Sequence, residues 1–518
     1  MKMVKSLILG SAAGLIAMGG AQAADLPVKA KAVEYVRICS LYGAGFFYIP
    51  GTDTCIKLGG YLRVDTTFNG SAYGGPAWSG DLGQQNRYRD YFVGRSRLAL
   101  TVDTRTATEY GVVRTFGQAN FQFQNFGTSN PTALATFPSS SSNGLYTAGG
   151  GYVPVDMLFL QFAGFTFGKS ASAYATPWQG YPGNNNSFLM GGQDSVTGVN
   201  NIQYTVQFGN GVSGTIGLDD PSQYERTAVL NLGATNPSGF ATAGSNAYGG
   251  THAPDIVGNI RVDQAWGLFQ ISGAAHAVTA SYNSLTAGAP NALSEISGHP
   301  DDKWGGAVMA ALQIKNLPTG PGDDFKIDAS YAKGATKYVV STSGPSPSFV
   351  MFGNTGFAGA YQSVGFGQTA DGVYLPGATD GIKLVDAWGI RGAFNHNWDP
   401  FWSTSLWGSY GQVRYGGNAL DITTAKGAWC ANYNTGKTPV AGSGYSCNPD
   451  FNFAQVGVVT RWTPVKNLTF SAEVGAFFLD QKFTGAQTLT PTAPKPTAIY
   501  EYRDQSTVYL NVRAQRNF

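Results

Sequence analysis

The side chains with the clearest chemical potential in this sequence are cationic. Guanidinium groups attract anions or pair with carboxylates, and four arginines on the early predicted strands are candidates for either role: Arg63, Arg95, Arg97 and Arg114. Arg95 and Arg97 alternate along one segment and share a face if that segment is a strand, whereas the phase of Arg114 is ambiguous. Two roles are open for these arginines: attraction of anions, or ion pairing with Asp65 or Asp103.

Catalytic and metal-binding motifs are poorly represented. The four histidines include no H-E-x-x-H motif and no pair at metal-ligand spacing: His252, His276, His299 and His396. The sequence also lacks a G-x-S-x-G nucleophile elbow and a G-x-x-x-x-G-K-[ST] phosphate loop. We therefore predict no enzymatic activity, no cofactor and no metal site. The enzymatic alternative is a barrel lipase that pairs His276 with a serine.

The N-terminus predicts export from the cytoplasm. Lys2 and Lys5 precede an apolar segment, 7–18, and the sequence Ala-Gln-Ala at 21–23 is a small-x-small cleavage site. We expect residues 1–23 to be a signal peptide that is removed.

Four cysteines follow this segment and fall into two local pairs, Cys39 with Cys55 and Cys430 with Cys447. Neither pair has the C-x-x-C spacing of redox or zinc sites. In an oxidising compartment this spacing predicts two disulfides, and four free thiols are the alternative.

The composition narrows the class of protein. Of 518 residues, 12% are charged, 13% are aromatic and 70 are glycine. Such low charge with so many aromatics excludes a disordered charged chain. Beyond the N-terminus no apolar run approaches the ~18 residues of a membrane-spanning helix. A net charge of +2 gives no indication of nucleic-acid binding, and we predict none.

The elements that must position the charged residues are strands, because hydrophobicity alternates with period 2. In segment 91–105, Leu98 and Leu100 lie on one face, while Arg95 and Arg97 lie on the other. Segments 256–263 and 508–518 show the same division. A soluble sandwich would bury the apolar face in its core, whereas a membrane barrel turns it toward lipid.

The connections between strands favour the membrane barrel. Seven short connections are predicted at 103–109, near 164, and at 209–211, 264–267, 316–323, 398–401 and 463–467. Eight long connections alternate with them, at about 69–89, 124–153, 170–199, 219–252, 277–303, 335–383, 415–450 and 480–504. Fifteen connections join about sixteen strands. We therefore predict an all-β, antiparallel transmembrane barrel with short periplasmic turns and long extracellular loops.

Several aromatic residues lie at or beside the predicted short turns, where an interfacial girdle of a membrane barrel would be: Trp266, Trp398, Phe401, Trp402 and Trp462. Packing inside a soluble core is the alternative for these residues.

Parts of the sequence resemble a known family, the general outer-membrane porins of alphaproteobacteria such as Rhizobium and Brucella. The most specific similarity is the opening block, which comprises residues 35–39, 42–55 and 59–63 and includes both cysteines of the first pair. Further similar blocks are 161–169, 261–267, 331–334, His396-x-Trp398-x-Pro400 and Arg513-x-x-Arg516-x-Phe518. Together the blocks span nearly all of the chain after the signal segment.

The resemblance implies a sixteen-stranded homotrimeric diffusion pore in the bacterial outer membrane, permeated by small hydrophilic solutes and ions. It also implies that the third long loop, about 170–199, folds into the lumen as a constriction. Phe518 would be the terminal aromatic read by the outer-membrane assembly machinery. The expected organisation is a signal peptide (1–23), a periplasmic-side segment with the first cysteine pair (24–56) and a barrel surrounded by lipid (57–518).

Within such a pore, the early arginines would line the wall and tune ion entry. The expected constriction loop holds one acid, Asp194, and no lysine or arginine, and aromatic side chains supply its bulk: Tyr174, Trp178 and Tyr181. We therefore expect steric narrowing with a weak field between the arginines and Asp194, and weak anion preference. The alternatives are that Asp194 only caps a turn, that the barrel is a substrate-specific channel, or that the chain is a secreted soluble β-sandwich adhesin or lectin.

Overall fold

A computed structural model describes residues 37–79, 83, 85–87, 89–124, 151–178, 180–194, 196–222, 224–234, 240–284, 295–342 and 348–518. The expected signal peptide, 1–23, lies outside the described residues. Among the described residues, no helix combines the length and the apolar character needed to cross a bilayer.

The described part of the chain forms sixteen strands that close into one antiparallel barrel, as the sequence predicts. We number them in chain order: β1 Thr54–Phe68, β2 Phe92–Thr108, β3 Gly111–Gln124, β4 Val155–Phe162, β5 Phe165–Ser170, β6 Val199–Gly209, β7 Val212–Asp219, β8 Asp255–Gln264, β9 Gly267–Val278, β10 Lys303–Lys315, β11 Asp324–Lys333, β12 Asp386–Asn397, β13 Trp402–Arg414, β14 Phe451–Val465, β15 Leu468–Gln481 and β16 Gln505–Asn517. The last strand pairs with the first, from Tyr61 opposite Asn517 to Phe68 opposite Leu510. Closure leaves no open sheet edge toward lipid.

The two faces of the strands point as the alternation predicts for a membrane barrel. In β2, Leu98 and Leu100 are each 38% exposed on the outer surface, while Arg95 and Arg97 are only 2% and 6% exposed. The predicted aromatics beside the short turns are exposed as well, among them Trp398 and Trp402. An apolar outer face with buried charge is the reverse of a soluble sandwich, so that alternative is not supported.

Short turns join the strands at one end of the barrel. Asn210 and Gly211 connect β6 to β7, and their φ angles of 49° and 73° define a two-residue hairpin of the type I′ class. Asn-Gly is favoured there because both positions require the left-handed region. Each of the seven predicted short connections overlaps a turn between consecutive strands, although residues 103–108 of the first belong to β2 and its turn is 109–110.

Eight long loops join the strands at the opposite end. We number them L1 (69–91), L2 (125–154), L3 (171–198), L4 (220–254), L5 (279–302), L6 (334–385), L7 (415–450) and L8 (482–504). L7 contains the helix α1, Ala425–Asn434. The residue before it, Thr424, is its N-cap, and the Thr424 side chain accepts a hydrogen bond from the N–H of Gly427. This N-cap satisfies one of the free donors of the first turn.

Several long loops build structure that has no signal in the sequence. Two small sheets form from them, one comprising Val229–Asn231, Ser245–Asn246, Gly372–Tyr374 and Lys383–Leu384, the other Phe349–Gly353, Gln362–Gly367, Thr438–Pro439, Ala486–Leu489 and Ala498–Tyr502. Their side chains pack with the inner wall around Trp78 and Trp429, which are 7% and 0% exposed. The long-loop end of the barrel is therefore filled in part by a hydrophobic core.

Both predicted disulfides are present, Cys39–Cys55 and Cys430–Cys447. The first ties the N-terminal segment to the start of β1 at the short-turn end. There the Arg105 guanidinium lies over the rings of Tyr42 and Phe46, 5.6 and 4.9 Å from their centroids. The second disulfide ties α1 to the end of L7.

Candidate functional site

L3 enters the lumen and follows the inner wall of the barrel, beginning at β8 and β9. The Asn259 amide donates to the carbonyl of Ala173 (2.6 Å), and the Gln270 amide donates to the carbonyl of Ala175 (2.8 Å). These bonds satisfy loop carbonyls that would otherwise be buried without a partner.

The far part of the same loop binds the opposite side of the barrel. Glu473 on β15 accepts hydrogen bonds from the backbone N–H groups of Asn185 and Asn186, and also from the side chain of Asn186 (3.0 Å). The guanidinium of Arg513 on β16 donates to the carbonyl of Asn185 (2.9 Å). L3 therefore extends from one side of the lumen to the other.

A third attachment holds the end of L3. Arg391 on β12 donates to the carbonyls of Leu189 (2.9 Å) and Gln193 (2.7 Å), and its Nε lies 3.0 Å from a carboxylate oxygen of Asp328 on β11. The Arg391 and Asp328 side chains are both 0% exposed. A buried pair of this kind requires all its partners, because an unpaired charge at low dielectric is costly.

Of the aromatic residues expected to give L3 its bulk, Tyr174 and Trp178 pack into the hydrophobic core, and Tyr181 forms hydrogen bonds within the loop. Tyr174 is fully buried, and its ring meets that of Tyr338 edge to face at 4.5 Å. Trp178 is 7% exposed within the same hydrophobic core. The Tyr181 hydroxyl donates to the carbonyl of Ser187 (2.6 Å) and lies 3.0 Å from the carboxylate of Asp194.

Asp194 lies inside the folded loop. One of its carboxylate oxygens accepts a hydrogen bond from the N–H of Val196 at 3.0 Å, and the residue is only 7% exposed. A carboxylate that accepts an N–H two residues ahead is the geometry of an Asx turn.

The predicted arginines all lie on the inner wall, but their surroundings differ. The ring of Tyr73 in L1 covers Arg95 and Arg97, whose guanidinium carbons lie 4.4 and 5.4 Å from its centroid. Arg63 donates to the side-chain carbonyl of Gln515 at 2.7 Å. Arg114, whose phase the sequence left ambiguous, faces the lumen.

Three carboxylates on the wall each hold two cations. Asp65 pairs with Arg95 and Arg513, both at 2.6 Å. Asp103 pairs with Arg105 (3.1 Å) and Arg114 (3.0 Å), while Asp263 pairs with Arg261 (3.0 Å) and Lys315 (3.3 Å). One negative charge cannot neutralise two positive ones, so each cluster has an excess positive charge.

Among the other acids on the wall, Asp156 and Glu473 oppose this excess. Asp156 accepts hydrogen bonds from the amides of Gln118 and Asn120, and Glu473 accepts those of L3 described above. Both are bound here by neutral donors, which do not cancel their charge. These two negative charges reduce the excess positive charge of the three clusters.

A cavity of about 510 Å³ lies between L3 and the inner faces of β3 to β9. We call it the lumen cavity; its lining includes Arg114, Phe116, Phe159, Gln161, Thr166, Gln203, Thr205 and Arg261. A second cavity of about 510 Å³ shares four of these residues, Arg114, Gln161, Thr166 and Thr205, and extends to Tyr42 at the short-turn end. The two cavities are therefore adjacent, with these four polar side chains between them, and we call them together the polar path.

A buried cluster of titratable groups, not predicted from the sequence, links L3, L4 and L6 to the wall. The Tyr338 hydroxyl lies 2.6 Å from a carboxylate oxygen of Asp255 and 3.3 Å from one of Glu225. Glu225 also accepts the side-chain amide of Gln193 at 2.8 Å. His276 lies between Asp255 (2.6 Å) and the hydroxyl of Tyr248 (2.7 Å). Because these residues come from separate segments, their spacing in the sequence carried no signal.

The charge of Glu225 should make the packing of these loops depend on pH. Burial, followed by the nearby carboxyls of Asp219 and Asp255, raises the pKa of Glu225 well above its ordinary value of 4.5. A carboxyl whose pKa is raised on folding contributes stability below the ordinary pKa, and this stability is lost as pH rises through the raised pKa.

We expect Glu225→Gln, which mimics the neutral carboxyl, to reduce this pH dependence. Thermal unfolding followed by near-UV circular dichroism, repeated from acidic to alkaline pH, measures this dependence. The variant leaves the neighbouring titratable groups in place: Lys337, Asp219, Asp255 and Tyr338. The exposed Glu109→Gln is the matched control and should leave the wild-type profile intact. Identical pH profiles for Glu225→Gln and the wild type would contradict the assignment.

Comparison with known proteins identifies the family of this chain. The sequence profile of the family described as Porin subfamily matches residues 25–511. Porin Omp2b of Brucella abortus (strain 2308) is 34% identical over 268 residues, which are 51% of this chain and 63% of that porin. Porin Omp2b of Brucella melitensis biotype 1 is 34% identical over 269 residues with the same coverage. The matched segment thus spans less than two thirds of these relatives.

Among solved structures, the outer membrane channel DcaP of Acinetobacter baumannii is similar with a TM-score of 0.54. The similarity covers 91% of this chain and 99% of that chain at 14% identity. At this level of identity the similarity shows a shared fold.

Proposed function

Because the chain belongs to the porin subfamily, we propose that it forms a water-filled channel for passive diffusion of small hydrophilic molecules and ions across the bacterial outer membrane. The observation that carries this proposal is the polar path inside a barrel whose outer face is apolar. Polar walls remove the desolvation cost that hydrocarbon imposes on a polar solute.

The path sets how solutes would pass. They would move past L3 through the lumen cavity, between Arg114 and Arg261, and leave beside Tyr42 at the short-turn end. L3 would act as the constriction because its attachments to β8, β12, β15 and β16 hold it across the lumen. Asp194, Tyr174, Trp178 and Tyr181 would contribute by fixing the shape of that loop.

Weak anion preference is the expected selectivity. Arg95 and Arg114 would contribute because the carboxylate that binds each of them is shared with a second cation. Arg63 and Arg97 would contribute because they donate to the neutral side-chain carbonyls of Gln515 and Gln122. We expect the reversal potential in a planar bilayer under a KCl gradient to indicate chloride preference. Arg114→Gln should shift it toward potassium, because Arg114 borders the open path. Clear potassium preference of the wild type would contradict the assignment.

Solute size tests the diffusion mechanism itself. Proteoliposomes should swell at rates that fall smoothly with the size of neutral sugars, as expected for a general porin. Arg516→Met, at the short-turn end outside the cavity lining, is a control and should give the same series. Swelling confined to one sugar would instead identify a substrate-specific channel, and no swelling with any solute would reject the channel.

Partners follow from the same proposal. We propose a homotrimer embedded in outer-membrane lipid, and assembly through the terminal aromatic. Phe518 is 59% exposed, and its backbone exchanges hydrogen bonds with Gly60 at 3.1 and 3.2 Å, so its ring lies at the outer surface where another protein can bind it. Native mass spectrometry of the detergent-extracted protein would measure the subunit number.

A further inference from the structure

An aromatic patch interrupts the polar lining of the lumen cavity. Phe116 on β3 lies directly opposite Phe159 on β4, and their rings stack with centroids 5.3 Å apart and planes 28° apart. Met157, two residues from Phe159 on the same strand, also lines the cavity. Apolar side chains facing water are unfavourable, so a solute that covers the exposed part of these rings would be stabilised by the contact.

These rings face the lumen and not the lipid. Arg114, two residues from Phe116, reaches inward to Asp103 and to the side-chain carbonyl of Gln161 (2.9 Å). Its guanidinium carbon lies 5.3 Å from the Phe116 ring and 5.6 Å from the Phe159 ring. In the same strands, Leu158 and Leu160 are exposed on the outer surface.

Positive charge borders the patch in a fixed orientation. Arg114 is held by Asp103 through two nitrogens, both at 3.0 Å, while Asp103 is shared with Arg105. Arg261 lines the same cavity; it donates to the carbonyl of Pro177 in L3 at 3.3 Å and shares Asp263 with Lys315. The residues that line this cavity within the described chain include no aspartate or glutamate.

We propose that the lumen cavity is a binding subsite for small aromatic carboxylates, in which the solute ring lies on Phe116 and Phe159 and its carboxylate faces Arg114 and Arg261. The inference rests on the proposed channel function and names a class of solute that would bind within the path as it passes through. Aromatic faces favour offset stacking or edge contact with another ring, and guanidinium groups favour carboxylates.

The dimensions suit such a solute. A volume of about 510 Å³ exceeds what a single-ring acid fills, so water and the acid share the cavity. The side chains of Gln161, Thr166, Gln203 and Thr205 on the surrounding wall can hydrogen-bond ring hydroxyls. Binding must stay weak, because a solute in a pore has to leave as well as enter.

Equilibrium dialysis tests binding without depending on conduction. Purified protein in detergent is dialysed against radiolabelled benzoate, and acetate, benzyl alcohol and glucose are tested as competitors. We expect saturable benzoate binding that these three displace much less effectively than unlabelled benzoate does. Acetate as effective as benzoate would show that charge alone decides, and benzyl alcohol as effective would show that the ring alone decides; either result overturns the proposal.

Variants locate the subsite. Phe116→Thr with Phe159→Thr should weaken benzoate binding by about tenfold or more, as should Arg114→Gln. Phe121→Thr, on the outer face of β3, is the matched control and should bind as the wild type does. Heat-modifiable mobility on gels verifies that each variant forms the barrel. Wild-type affinity in the folded double variant would overturn the location.

Conductance separates the two proposals. A wild-type protein that conducts KCl but does not bind benzoate saturably overturns the subsite alone. A protein that binds benzoate with the expected variant pattern but carries no current and passes no solute supports the subsite and rejects the channel.

Discussion

Replacing Arg391 with methionine should release the end of L3 and increase single-channel conductance. Arg391 bonds the carbonyls of Leu189 and Gln193 and pairs with the buried Asp328. Removing one partner of a buried ion pair costs about 3–5 kcal/mol, and each carbonyl left unbonded costs about 1–3 kcal/mol more. The end of L3 would then no longer be held to β12 and could move away from the wall.

The measurement is single-channel recording of the wild type and the variant in KCl, with liposome swelling for sugars of increasing size. We expect larger conductance, and entry of sugars that the wild type excludes. Arg516→Met removes an arginine near the short turn after β14, away from L3, and should change neither quantity.

A second variant separates release of the loop from damage to the wall. Arg391→Met combined with Asp328→Leu removes both charges, so no uncompensated carboxylate is left between β11 and β12. Since the two loop carbonyls still lose their donor, conductance should remain high in the double variant. A conductance equal to that of the wild type in both variants would show that the other attachments suffice to hold L3.

The barrel was predictable because the sequence signals of its strands and turns lie within short segments. Alternation along a strand such as β2 is visible in the sequence, and a turn such as Asn210-Gly211 identifies the hairpin that joins two strands. The disulfides were predictable for the same reason, since each pair lies within one segment. Lipid on the outside reverses the usual position of apolar residues, and the loop lengths indicated this reversal.

The structure of the long loops was not predictable because it depends on distant pairing. Phe349–Gly353 and Gln362–Gly367 are short segments, and the second pairs with Ala498–Tyr502, far away in the chain. No periodicity can develop in so few residues. The orientation of Arg114 required its partner Asp103 on the neighbouring strand.

Part of the site could have been recognised earlier. Arg114 and Phe116 are two residues apart on β3, and Phe159 lies opposite in the next strand, so the alternation already places all three on one face once the phase is known. Glu225 and its partners could not have been found in this way. They come from L3, L4, L6, β8 and β9, which only the folded chain brings together.

Asp371 in L6 should be the most sensitive position for the order of the long loops. Its side chain is fully buried and accepts hydrogen bonds from the N–H of Thr227 (2.7 Å), the N–H of Thr336 (2.7 Å) and the hydroxyl of Thr336 (2.9 Å). Asp371→Ala leaves these buried donors without an acceptor, at about 1–3 kcal/mol for each. Because this carboxylate accepts hydrogen bonds from both L4 and the start of L6, both should open together.

Limited trypsin digestion measures the opening, since proteolysis follows the population of locally unfolded states. We expect faster cleavage after Arg226 in L4 and Lys337 in L6, while the strands stay protected and the barrel keeps its heat-modifiable mobility. Asp371→Asn keeps one side-chain oxygen that can accept a hydrogen bond, so its cleavage rate should lie between those of the wild type and Asp371→Ala. Asp380→Ala, an exposed position in the same loop, should digest like the wild type. Equal cleavage rates for Asp371→Ala and Asp380→Ala would mean that the packed loop core holds L4 and L6 together without this carboxylate.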